Sequence, residues 1–219
     1  MVIKDRGRLD DTWSARARKE GYPARSVYKL IEMDEKHKLL RKGMRVLDLG
    51  ASPGSWSLYA ADRVAPSGKV LGVDVKPLSA ASRPNLEFMA GDVLGLAPEG
   101  IPGKAPWDAV ISDLAPSTSG RKDADAARSL ELGRAALGLA RELLKPGGAF
   151  VAKIFEGGDS GAWVKGELRP LFRKTAVMRP KAVRKGSVEI YVVCLGFKGM
   201  GDKAEDGGGR PLEELSDPR

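Results

Sequence analysis

The segment Asp48-Leu-Gly-Ala-Ser-Pro-Gly-Ser-Trp56 carries the most chemical information in the chain. It follows a short apolar run and opens a helical pattern. In doubly wound sheets, ligands bind at such a turn, at the carboxyl end of a strand. Gly50 and Gly54 let a ligand approach the backbone, and a helix N-terminus offers unpaired N–H groups. Three more acids close later apolar runs: Asp74, Asp92 and Asp113. Asp74 lies about twenty residues past the loop, where an acid accepts hydrogen bonds from ribose hydroxyls. Asp92 is placed to meet an adenine amino group. Acids at three successive strand ends, with Asp48 as a fourth, favour a cationic ligand such as the sulfonium of S-adenosyl-L-methionine.

Two rival chemistries fail at the same loop. A dinucleotide oxidoreductase needs G-x-G-x-x-G, whereas here the glycines are four apart and Ser55 follows. Gly50-Ala-Ser-Pro-Gly54 does match the G-x-S-x-G elbow of serine hydrolases. However, the residue after the serine must donate its N–H to the oxyanion, and Pro53 has none. The single histidine, His37, also precedes the serine instead of following it. The blander alternative is a turn whose glycines serve geometry alone.

The elements that would hold these residues alternate. Apolar runs at 45–50, 69–75, 86–92, 109–115 and 149–155 read as strands, with helical stretches at 54–64 and 124–144. Strand, helix and strand joined by short turns imply a parallel sheet with right-handed crossovers. A further helix is expected near 161–172. Two strands follow, 174–179 and 189–197, joined too closely for a helical crossover and so expected to be antiparallel. A helical unit starts at Pro23 and ends at Gly43. Residues 1–22 are polar and basic and read as an arm, partly ordered at best. The domain is expected to span 23–198, and the Gly-rich acidic tail 199–219 to be disordered.

The 219 residues are the size of one α/β domain. One cysteine, Cys194, and one histidine exclude a disulfide framework and multi-Cys or His-cluster metal sites. Cys194 reads as a core residue and His37 as a surface one. No apolar run approaches the length of a membrane span, and the N-terminus lacks the apolar core of a signal peptide, so a cytoplasmic protein is expected. The 37 Lys+Arg against 29 Asp+Glu leave a net charge of +8, which favours a polyanionic partner. Two basic stretches stand out: Arg6 to Arg25, and Arg169 to Lys185. Both are expected beside the carboxyl edge of the sheet, where they would grip phosphates.

Together the motifs resemble those of the FtsJ/RrmJ-type RNA ribose 2'-O-methyltransferases. The matching segments are Ala24-Arg-Ser-Val-Tyr-Lys-Leu30, the loop 48–57, Ser112-Asp-Leu-Ala-Pro116 with Ser119-Gly120, Lys145-Pro-Gly-Gly-Ala-Phe-Val-Ala-Lys-Ile-Phe155, and Ser187-Val-Glu-Ile-Tyr191. They cover residues 20–198 in the family's order. The resemblance implies a Rossmann-like methyltransferase fold: a seven-stranded, mostly parallel sheet with the last strand antiparallel and helices on both faces. It also implies S-adenosyl-L-methionine as cofactor, bound at Gly50, Gly54, Trp56, Asp74, Asp92 and Asp113. A catalytic tetrad of Lys29, Asp113, Lys153 and Glu189 carries over by motif. Ser52 and Ser55 stand where the family more often has Ala and Gly, and residues 181–186, just before Glu189, match it loosely.

The tetrad suits the reaction. Methyl transfer from a sulfonium is an in-line displacement with a neutral leaving group, so the difficulty lies with the weakly acidic ribose hydroxyl. A positioned base contributes roughly 10²–10⁴-fold. A lysine serves if burial or a neighbouring cation lowers its affinity for a proton, while nearby carboxylates oppose that change. Lys153 is the expected base, since a lysine inside the apolar run 150–155 is costly without a purpose. Lys29 would hold the hydroxyl or a phosphate, Asp113 would orient Lys153, and Glu189 would anchor the outer edge. The expected partner is ribosomal RNA, within the large subunit, for a monomeric protein. Transfer RNA as substrate, and a catalytically silent RNA-binding assembly protein, are the alternatives.

Overall fold

The computed structural model describes residues 6–79, 82–103 and 106–199. The chain runs α1 (Arg6–Lys19), α2 (Val27–His37), β1 (Arg45–Leu49), α3 (Ser55–Val64), β2 (Lys69–Asp74), β3 (Leu86–Ala90), β4 (Trp107–Ser112), α4 (Lys122–Leu143), β5 (Leu144–Phe155), β6 (Phe172–Met178) and β7 (Glu189–Phe197). The seven strands form one sheet in the order β3-β2-β1-β4-β5-β7-β6. Strands β1 to β5 pair in parallel, and β7 inserts antiparallel between β5 and β6. This is the expected Rossmann-like sheet, with the expected antiparallel pair at its end.

Successive side chains of a strand point to opposite faces, and that alternation builds two cores. Leu47, Leu49, Val110, Phe150 and Val192 pack under α4. Val46, Ala109, Ile111, Val151, Tyr191 and Val193 pack under α2 and α3. The second face positions the site. Lys153 has the parity of Val151, and Glu189 that of Tyr191 and Val193, so both point toward α2 and α3. Lys153 stands in register with Tyr191, and Phe155 with Glu189.

Helix α2 is fixed at both ends by α3. Near its start, Ser55 Oγ accepts from Ala24 N–H (2.8 Å) and donates to the Ala24 carbonyl (3.0 Å), and Trp56 Nε1 donates to the Ser26 carbonyl (2.9 Å). Near its end, buried Asp34 accepts from Leu40 N–H (2.8 Å), the Tyr59 hydroxyl (2.7 Å) and Arg63 Nε (2.9 Å). An ionised carboxylate accepts readily from several donors, so one side chain ties the helix end, the following loop and α3 together.

Several sequence expectations change. The N-terminal arm contains a helix, α1. Its Ala17 is buried, Trp13 packs on Tyr28 with ring centroids 4.9 Å apart, and the Arg16 guanidinium lies 4.8 Å from the centre of the Tyr28 ring. A basic composition hid an apolar and aromatic face. The helix expected near 161–172 is irregular: Ser160–Trp163 and Arg169–Leu171 are α-helical, joined by a π-turn at Val164–Leu168, and β6 already begins at Phe172. Helix α2 ends at His37, where Lys38 takes the left-handed conformation, and not at Gly43. His37 is half-buried, its Nε2 lying 3.0 Å from Met178 Sδ. Cys194 is in the core, as expected. The tail expected to be disordered lies, beyond Gly199, outside the described residues.

On β1, Asp48 is fully buried. Its Oδ2 accepts from Ser57 Oγ (2.6 Å), and Oδ1 has no partner among the described residues. Burial, reinforced by the charges of Asp113 and Asp74, pushes the Asp48 carboxyl up to about 7. The folded state therefore keeps a proton that the unfolded chain releases near 3.8. Asp48 costs the fold nothing below that value, and an increasing amount as pH rises toward 7. Urea unfolding of the wild-type chain and of Asp48→Asn, compared from pH 4 to 8, should show the variant losing less stability across that window. Equal slopes in the two would place the titration on another group.

Candidate active site

Four charged side chains converge at the carboxyl ends of β4 and β5 and the start of β7, under the first turn of α2. Lys153 Nζ lies 3.0 Å from Asp113 Oδ1 and donates to the Asp113 carbonyl at 2.6 Å. Lys29 Nζ lies 2.5 Å from Glu189 Oε1. The four residues of the sequence-derived tetrad thus form two lysine–carboxylate pairs. All are largely withdrawn from water, with the Lys153 side chain 7% and that of Lys29 10% exposed. An ammonium group this far from solvent persists only when paired and hydrogen-bonded, or when it gives up its proton.

Sequence reasoning missed the group that joins the pairs. The Tyr191 hydroxyl lies 2.8 Å from Asp113 Oδ1 and 2.5 Å from Glu189 Oε1. Its ring is buried and packs on Trp56, with centroids 5.8 Å apart, and Lys29 Nζ sits 5.7 Å from the ring centre. Burial first, and then the two carboxylates, push this phenol well above its ordinary range. The available signal was spacing: Tyr191 is two residues past Glu189, hence on the same face of the strand.

The loop after β1 lies beside this cluster. Gly50 has φ +78°, and a Cβ there would come within 2.9 Å of the Leu114 side chain, just past Asp113. Gly54 has φ +111° and caps α3 without a side-chain hydrogen bond, which leaves the first-turn N–H groups of that helix to a ligand. Asp74 Oδ2 accepts from Ser52 N–H (3.0 Å) and Oδ1 from Lys76 N–H (2.8 Å), so the carboxylate is held rigidly at its strand end. Asp92 Oδ1 accepts from Leu94 N–H (3.1 Å) as the cap of a short turn. The Trp56 side chain points into the core, tied to Ser26 and packed on Tyr191.

Two further residues went unnoticed in the sequence. Val75, one past Asp74, is 64% exposed, and Leu94, two past Asp92, is 52% exposed. Apolar side chains left in water beside strand-end acids suit the faces of an adenine ring. Together with the glycine turn, where a Cβ at Gly50 would meet Leu114 and Gly54 opens α3, the residues fit S-adenosyl-L-methionine.

Farther along the same edge, the loop after Asp113 is pinned by Asp125. That carboxylate accepts from Ser119 N–H (2.8 Å), Ser119 Oγ (2.8 Å) and Gly120 N–H (3.1 Å). The two basic stretches meet over α2. Ala182, in the β6–β7 loop, is buried in one cluster with Ala17, Val27 and Tyr28. Lys181 N–H donates to Glu32 Oε2 (2.8 Å), and Arg179 pairs with Glu156 (2.7 Å). Arg16, Arg18, Lys19, Lys181, Arg184 and Lys185 are exposed along this rim.

A protein of Sorangium cellulosum named ribosomal RNA large subunit methyltransferase E is 50% identical over 193 residues, covering 87% of this chain and 90% of that protein. One of the same name from Oleidesulfovibrio alaskensis is 46% identical, covering 90% and 97%. A crystal structure described as a ribosomal RNA methyltransferase from Plasmodium falciparum superposes with a TM-score of 0.71 at 29% identity, covering 81% of this chain and all of that one. Fibrillarin of Aeropyrum pernix, at 17% identity and a TM-score of 0.56, shares the fold. The model of the FtsJ-like methyltransferases matches residues 22–197, from the residue before Pro23 to the last residue of β7, and the chain belongs to that family.

Proposed function

We propose that the protein methylates a ribose 2'-hydroxyl of large-subunit ribosomal RNA, with Lys153 as the general base. The observation that carries this reading is the pair of buried lysine–carboxylate contacts at the strand ends, set beside the glycine loop. The cofactor, S-adenosyl-L-methionine, supplies when bound a methyl group on a sulfonium whose departure leaves a neutral thioether. The protein's own task is therefore to hold the ribose hydroxyl and accept its proton.

Lys153 suits the base role because its Nζ is held by two acceptors of one residue, the Asp113 carboxylate and carbonyl. That fixes the direction of the amine at the strand end. Lys29 projects from the first turn of a helix that α3 clamps at both ends, and it would hold the hydroxyl or an adjoining phosphate. Glu189 keeps Lys29 in place. The rim formed by α1 and the β6–β7 loop would bind RNA phosphates, which orient a substrate without reading its sequence. A cytoplasmic monomer fits this role.

The direct test uses radiolabelled S-adenosyl-L-methionine with large subunits, free ribosomal RNA and transfer RNA, each from cells lacking the protein. A 2'-O-methyl group blocks alkaline cleavage at its own 3' phosphate. Label in alkali-resistant dinucleotides, strongest on large-subunit RNA, is the expected outcome. Label in mononucleotides would mean base methylation, and best activity on transfer RNA would move the substrate. Lys153→Ala should lower kcat at least about 100-fold while cofactor affinity stays nearly intact. A variant keeping a tenth of the wild-type rate would remove Lys153 from the base role.

The rim makes a separate prediction. Reversing charge at Arg184 and Lys185 should weaken RNA binding and reduce the slope of log affinity against log salt, by about 0.7–0.9 for each phosphate that is no longer neutralised. An unchanged slope would place the RNA elsewhere.

A further inference from the structure

The Tyr191 hydroxyl has one proton and two carboxylate neighbours. Its oxygen lies 2.8 Å from Asp113 Oδ1 and 2.5 Å from Glu189 Oε1, both within hydrogen-bonding distance. Ionised carboxylates only accept, so Tyr191 can satisfy one of them. The other contact sets two oxygens together with no hydrogen between them unless that carboxyl carries a proton. The geometry therefore calls for one proton more than two ionised carboxylates and a phenol supply. The adjoining donors are the two lysines, Lys153 Nζ on the same Oδ1 and Lys29 Nζ on the same Oε1. A proton moved from Lys153 to Asp113 completes every hydrogen bond in the row and leaves Lys153 a neutral amine.

We propose that Tyr191 is a positioning residue that links the two lysine–carboxylate pairs into one proton path, running from Lys153 Nζ through Asp113 Oδ1, Tyr191 Oη and Glu189 Oε1 to Lys29 Nζ. Each step of that row is 3.0 Å or less. The proposal rests on Lys153 being the base. Methyl transfer to a hydroxyl forms a C–O bond, breaks an S–C bond and frees one proton per turnover, which Lys153 takes. The Asp113 O–H donates its proton to Tyr191 Oη as the tyrosine's own proton crosses to Glu189 Oε1, and the Lys153 ammonium then returns a proton to Asp113 Oδ1. Glu189, at the outer edge of the row with its side chain 15% exposed, releases the added proton to solvent. Lys153 is again neutral, nothing is oxidised or reduced, and one proton enters and one leaves.

The surroundings favour hopping through an intact hydroxyl. The charged groups around Tyr191 Oη come from every neighbouring element: Asp113 beyond β4, Lys153 on β5, Glu189 on its own strand and Lys29 on α2. On the β6 side its register partner is the neutral Met178. With the phenol held well above its ordinary range, Tyr191 does not ionise, and it accepts a proton only as it gives one up.

The test is Tyr191→Phe, which removes one oxygen and leaves the ring on Trp56. With enzyme in excess, single-turnover methylation is followed against pH and in mixtures of light and heavy water. Without the hydroxyl, the carboxylates act undiluted on Lys153 and hold its proton more tightly. The rising limb of the rate profile should move up by about one pH unit or more, with at least about a tenfold loss near pH 7.5 that recovers at high pH. The curved, several-proton dependence on heavy water expected of the wild type should become linear. Cofactor affinity and RNA binding should change by no more than about twofold. A uniform loss at every pH, with the limb and the curvature unmoved, would make Tyr191 a packing residue and overturn the path. If Tyr191→Phe unfolds, Glu189→Gln interrupts the same row with the tyrosine in place. It should also give a linear dependence on heavy water, and retained curvature would overturn the proposal. A wild-type profile with no rising limb would remove Lys153 as base, and the path with it. A rising limb that Tyr191→Phe leaves in place would reject the path alone.

Discussion

Two lysine side chains end where water scarcely reaches, and neither nitrogen is tolerable there without a hydrogen-bond partner. That constraint organises the carboxyl edge of the sheet. Lys153 is held by the side chain and carbonyl of Asp113, Lys29 by Glu189, and Tyr191 lies between the two carboxylates. Pulling one member out strands the others as buried charges or unmatched acceptors. The cluster is therefore an all-or-none arrangement drawn from α2, β5, β7 and the end of β4.

The cluster puts strict demands on α2. Lys29 reaches Glu189 only if its helix is held in place over the sheet, and α3 does this with polar ties at both ends: Ser55 and Trp56 near the start, Asp34 near the finish. The same α3 begins at the glycine loop. One helix thus couples the glycine loop to the placement of Lys29. Trp56 joins the two directly, since its ring packs on Tyr191 while its indole N–H holds the segment before α2. The rim of α1 and the β6–β7 loop is built onto the outer side of α2 through Tyr28, Ala17 and Ala182, so a surface that binds substrate would rest on the helix that carries Lys29.

Asp48 illustrates how the site is stabilised at a local cost. A carboxyl fully buried under the loop, with one oxygen unmatched, opposes folding once it ionises. Asp74 avoids this by accepting two backbone N–H groups at the edge, and Asp113 by meeting Lys153. Acids at neighbouring strand ends thus serve differently according to what each can reach.

Much of this was legible along the chain. Alternating apolar runs gave the parallel sheet, β7 was placed at the residues it occupies, and the glycine turn was placed between a strand and a helix, because period-two patterning and turn chemistry are local properties. The tetrad came from the order of short motifs, and its four members do meet. What stayed hidden depends on contacts between distant residues. Helix α1 was obscured because its stability comes from packing Trp13 and Ala17 on Tyr28 and Ala182, not from its own basic sequence. Nothing local to the sequence marks Asp34, which Tyr59 and Arg63 reach only in the folded chain, or the hydroxyl of Tyr191, whose two carboxylate neighbours come from separate elements. The sequence by itself determined which side chains share a face and where a glycine turn opens a helix at a strand end. Only the tertiary structure decided that Asp113 and Glu189 lie within reach of one hydroxyl, since residues 76 positions apart approach to hydrogen-bonding distance only through the insertion of β7 beside β5.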